Sequence, residues 1–151
     1  MAGRSFSEFV SKWEKSGLKF YRNCMRITNQ FSTKYILENV LQKQNAHVTK
    51  ILSDIGTINE AAVESEYVDK KITEFIKKVL IDEFDRENLN FVEVNKLAIR
   101  MSSYYREMYI HLKENETQKN VRNAIEKIVA NKTGFIEQLT SEFERLSYDQ
   151  S

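Results

Sequence analysis

The chain has 151 residues, no proline, four glycines and one cysteine, and its many charges nearly cancel to a formal +1. That length suits one compact domain with a genuine core, and the scarcity of Gly and Pro disfavours β-rich folds, whose turns need them. Near-balance of charge gives no general attraction to nucleic acid or an anionic membrane, and a lone Cys24 excludes an intrachain disulfide or a Cys-rich metal site.

A first helix is predicted over about residues 5–28. Ser5 and Glu8 have capping-box spacing, and Phe6, Phe9, Val10, Trp13, Gly17, Phe20, Cys24 and Ile27 recur at intervals of three and four. Cys24 on this stripe reads as a small buried apolar residue. After a turn at 29–32, a second helix runs over about 33–55, with Ile36, Leu37, Val40, Leu41, Gln44, His47, Val48, Ile51 and Leu52 inward and Gly56 as its stop. Thr57–Glu60 again has capping-box spacing and is expected to begin a short helix. A clearer amphipathic helix spans about 66–83, with Val68, Ile72, Phe75, Ile76, Val79, Leu80 and Phe84 on one side. Two further helices are expected over about 91–113, capped by Asn90, and from about 118 to 146, ahead of a loose tail at 147–151.

The second half repeats the first. At one constant offset Phe6, Phe9, Val10, Trp13 and Tyr21 fall on Val94, Leu97, Ala98, Met101 and Tyr109. At an offset one residue smaller, Leu37, Leu41, Val48 and Leu52 fall on Ala124, Ile128, Phe135 and Leu139. Two matching hairpins, about 5–55 and 91–146, imply a four-helix bundle in one domain covering 1–151. The unmatched insert at about 57–90 acts as a crossover, expected to start the second hairpin in the same sense as the first.

With these residues the chain resembles the rubrerythrin-like branch of the ferritin-like superfamily. The resemblance rests on Glu14 seven residues before Tyr21 in a Phe-Tyr pair, on Gln44-Asn45-Ala46-His47 in place of Glu-x-x-His, and on a second copy running through Tyr104–Leu112. It implies an all-α, ferritin-like bundle whose facing helices hold two metal ions through six ligands. Carried over position by position, the ligand set becomes Glu14, Gln44 and His47 in the first copy and Ser102, Asn131 and Gly134 in the second. Only Glu14 and His47 are competent ligands for iron or manganese, too few for a di-metal centre. They are therefore expected to pair across the bundle by hydrogen bond, with His47 drawn toward its charged form, and no cofactor is expected. A single metal ion on the same two residues is the alternative. Gln44, Ser102 and Asn131 would remain as a polar layer into which the Tyr21 and Tyr109 hydroxyls bond. Gly134 reads either as a small void left by the absent His, open to a ligand, or as close helix packing or drift.

No phosphate loop, nucleophile elbow or His-Glu-x-x-His motif is present. The reading leans to a non-enzymatic interaction or scaffold protein that has lost its di-metal site. It is expected to form a homodimer through Tyr67, Phe75, Ile76 and Phe84. The alternatives are a remnant iron or manganese oxidoreductase and a small-molecule binder in the bundle core. No apolar run approaches the roughly 20 residues that cross a bilayer, and Met1–Glu8 lacks a signal peptide's apolar segment, so a reducing cytoplasm is the expected location.

Overall fold

The computed structural model describes residues 4–80 and 89–149. They form five helices, α1 Phe6–Ile27, α2 Phe31–Ile55, α3 Ser65–Lys78, α4 Phe91–Glu114 and α5 Lys119–Asp149, and no strand occurs among them. None of these helices is long and apolar enough to cross a membrane. The last helix thus extends beyond the expected boundary, through residues read as tail, while Gln150 and Ser151 lie outside the described residues.

Local chemistry sets the helix ends. The Ser5 hydroxyl accepts from Glu8 N at 3.2 Å and Asn90 Oδ1 accepts from Glu93 N at 3.0 Å, so two free amides at helix starts are satisfied by side chains. Gly56 ends α2 at φ 65°, a left-handed conformation that glycine adopts without a Cβ clash. Thr57–Glu60 does not begin a helix. Instead the segment lies along the start of α1, where Phe6 N donates to Glu60 O at 2.8 Å and Ile58 N donates to Ser7 Oγ at 2.6 Å. Its main chain is spent on the unpaired amides of another helix, an outlet that its own capping spacing could not reveal. A buried carboxylate, Glu116, does similar work at the α4–α5 turn. It accepts from the amides of Val63 at 2.7 Å and of Thr117 and Gln118 at 3.2 Å, clamping the crossover to the start of α5.

One apolar core joins all five helices. α1 packs chiefly on α2 and α4 on α5, and α2 also touches both α4 and α5. The crossover sets the sense of the second hairpin. Thr33 at the start of α2 donates to Leu89 O, just before α4, at 2.6 Å, so α4 begins where α1 ends. Trp13 meets Tyr109 while Gly17, one turn further along α1, meets Tyr105, one turn earlier on α4. α4 therefore runs antiparallel to α1, contrary to the expectation that the two hairpins start in the same sense. A chain that ended α2 beside the start of α1 needed no long crossover to begin again there; the insert instead carries it to the opposite end.

α3 lies against α1 and α4. Val68, Ile72 and Phe75 are buried, Phe75 stacks flat on Tyr104 at 3.7 Å, and Asp69 accepts from Trp13 Nε1 at 3.0 Å and Lys12 Nζ at 2.7 Å. Of the residues expected on a dimer surface, Phe75 is buried, Ile76 is partly buried against the core, Tyr67 is exposed, and Phe84 lies outside the described residues.

Candidate functional site

At mid-height the four long helices each send a polar side chain inward. Glu14 comes from α1, His47 from α2, Tyr109 from α4 and Lys132 from α5, and all are buried, Glu14 at 3% exposure and Lys132 at 2%. Lys132 Nζ donates to Glu14 Oε1 at 2.6 Å and lies 3.4 Å from His47 Nε2, while the Tyr109 hydroxyl donates to Glu14 Oε2 at 2.9 Å. The ammonium also lies 5.3 Å and 5.8 Å from the ring centres of Tyr105 and Tyr109, whose electron-rich faces favour a cation.

Glu14 and His47 are thus on the same layer, as expected, but they do not bond to each other. Lys132 stands between them, and the charge of the imidazole is the reverse of that expected. Burial first, then the nearby charges of Lys132 and Lys50, push the His47 pKa down to about 3, so the ring is neutral. With the ammonium facing Nε2, the hydrogen-bond network assigns the ring proton to Nδ1. On its flat side His47 stacks on Phe135 at 4.2 Å, with planes 6° apart.

Two residues of the expected polar layer stay in it: Gln44 Nε2 donates to Ser102 Oγ at 3.2 Å. Two do not. Asn131 turns outward and donates to Asp54 at 2.9 Å, and Gly134 is exposed, where a Cβ would meet nothing within 4 Å. They border a groove of about 460 Å³ between α2 and α5, floored by His47 and Phe135 and flanked by Lys50. Of the two tyrosines expected to bond into the layer, Tyr109 does so, whereas the Tyr21 hydroxyl has no partner there. Cys24 is fully buried, with its thiol pushed up to about 12 by that burial.

No protein-family model, curated protein or solved structure matches this chain.

A divalent ion does not fit between Glu14 and His47. The ammonium already fills the position that both donors face, one carboxylate oxygen is committed to it, and the other accepts from Tyr109. Acid–base catalysis fares no better. The carboxylate has both oxygens engaged, and the ring nitrogen bearing the lone pair points at a cation. What the arrangement supplies is a closed, charge-compensated polar layer tying four helices together.

Proposed function

We propose that this protein is a ferritin-like bundle that has replaced its metal layer with its own cation and acts as a non-enzymatic, self-associating interaction or scaffold protein. One observation carries the reading: the Lys132 ammonium, 2.6 Å from Glu14 and 3.4 Å from His47, lies where a bridging metal ion would have to lie. A ferritin-like ancestry is supported by the single long crossover, by α4 running antiparallel to α1, and by the polar side chains converging at mid-bundle. Charge explains why the substitution suffices. A di-metal site needs several carboxylates to balance its cations, whereas a single carboxylate is balanced by one ammonium.

Metal analysis of protein expressed in iron- and manganese-supplemented medium tests this reading. Sub-stoichiometric metal, unchanged by Glu14→Ala or His47→Ala, is the expected result. One metal ion or more per chain, lost in either variant, would overturn it in favour of a remnant oxidoreductase.

The groove over His47 favours a second reading, a small-molecule binder. Its volume falls in the usual range for ligand pockets, and Gly134, which no packing contact requires, keeps its floor open. A thermal-shift screen of small metabolites checks it: a binder that loses its effect when Gly134→Leu fills the groove supports the reading, and a screen without any stabilisation ends it.

A further inference from the structure

Beside the Lys132–Glu14 pair lies a second and much smaller space, partly open to solvent. It measures about 20 Å³ and is lined by Glu14, Tyr21, Gln44, Ser102, Tyr105 and Lys132. Two of these residues bring hydroxyls that form no hydrogen bond among the described residues, although Tyr21 is only 1% exposed and Tyr105 only 4%. Ser16 lies near the Tyr105 oxygen without forming a hydrogen bond to it, its own hydroxyl being directed to the main-chain carbonyls of Lys12 and Trp13. Buried hydroxyls without partners are costly, and a native core rarely leaves two of them facing one space.

Size and charge narrow what could satisfy them. A void of this volume admits about one water, for which roughly 10–15 Å³ suffices, and it excludes any organic ligand. Glu14 and Lys132 neutralise each other across 2.6 Å, so the space offers no net charge to hold an ion. Donors and acceptors are both at hand. Lys132 directs N–H groups at Glu14 and His47 and retains a third, the two tyrosines can donate or accept, and Gln44 keeps its carbonyl oxygen after its amide nitrogen has donated to Ser102. A neutral molecule that both donates and accepts matches that set.

We propose that the void is a binding site for a single internal water, which bridges the Tyr21 and Tyr105 hydroxyls to the Lys132–Glu14 pair. The water completes the polar layer. Without it the layer consists of the Tyr109–Glu14–Lys132–His47 chain and a separate Gln44–Ser102 bond; with it, both join the two tyrosines. The inference rests on burial, volume and donor count alone, and stands whether or not the bundle has a ferritin-like ancestry.

Gly17 provides the test. It too lines the void, and a Cβ built on it would sit 3.5 Å from the Tyr105 hydroxyl oxygen, an ordinary contact that the fold tolerates. A methyl group there takes up the space a water needs. Water oxygen-17 relaxation dispersion on the whole protein should show one long-lived internal water fewer in Gly17→Ala than in the wild type, with helix content by circular dichroism unchanged. Equal dispersion amplitudes for the two proteins would overturn the site. A high-resolution crystal structure provides the second measurement. A density peak within hydrogen-bond distance of Lys132 Nζ and a tyrosine hydroxyl is expected; either no peak, or an anomalous signal there after a bromide soak, rejects a bound water.

Discussion

Lys132 and Glu14 illustrate how a buried charge is tolerated: each is almost wholly out of water, and each finds its opposite at 2.6 Å. Desolvating both groups consumes most of what their attraction returns, so the pair itself adds little net stability, but stranding one partner is expensive. Glu14→Gln should therefore lower the unfolding free energy by about 3–5 kcal/mol, because it leaves the ammonium buried without a counter-charge. Replacing both residues, as Glu14→Gln with Lys132→Met, should recover much of that loss in urea denaturation. His47 makes a separate prediction. Its pKa falls from the usual 6.5 to about 3 on folding, so the unfolded chain takes up a proton that the folded one refuses. The stability this gives is fully present above pH 6.5 and is lost as the pH drops toward 3, by about 1.4 kcal/mol per pH unit within that window. Imidazole proton NMR should show no His47 titration between pH 8 and 4, and His47→Gln should flatten the stability slope over the same interval.

On α5, one turn of helix separates what could be read in advance from what could not. Gly134 faces open space, so it is free to become alanine: Gly134→Ala should stabilise the protein by about 0.5–1 kcal/mol in thermal or urea unfolding, through helix propensity. A loss of stability would mean that the glycine serves close packing after all. The helices themselves were legible, because Phe6, Phe9, Val10 and Trp13, and likewise Val94, Leu97, Ala98 and Met101, repeat the α-helical period and are buried. His47 was legible too, since it falls on the apolar face of α2, and Glu14 was legible through the Glu-to-Tyr spacing that resembles the ferritin-like pattern. Lys132 was not, because lysines are usually solvated and the offset between the repeats pointed to Asn131 and Gly134. Yet a signal was present: Val121, Ile125, Ile128, Lys132, Phe135 and Leu139 step by four and three along one face, and all are buried. A cation in the middle of such a stripe is a request for a buried acid, and Glu14 is the acid that answers it. Thr57–Glu60 was misread for a different reason. Its role depends on a partner distant in sequence, the α1 amides, which local periodicity does not encode.

For the molecule as a whole, the crossover fixes where partners can meet. By bringing the start of α4 to the end of α1, it gathers Ile27, Phe31, Tyr35 and Val92 at one end of the bundle, where Phe31 is 85% exposed and Tyr35 66%. Phe31 and Tyr35 stand one helical turn apart on α2, on the same face, and scattered exposure of single apolar residues would not place them so. The α3 surface lacks this character, since Phe75 is turned into the core and stacked on Tyr104. The proposed self-association should therefore use the end of the bundle. Light scattering coupled to size-exclusion chromatography should give a dimer for the wild type and for Tyr67→Ser, and a monomer for Phe31→Ser combined with Tyr35→Ser. Both substitutions in that double variant lie at exposed positions, so its unfolding midpoint should not fall. A wild type that stays monomeric at high concentration would remove the dimer, and a dimer disrupted by Tyr67→Ser alone would move it back to α3.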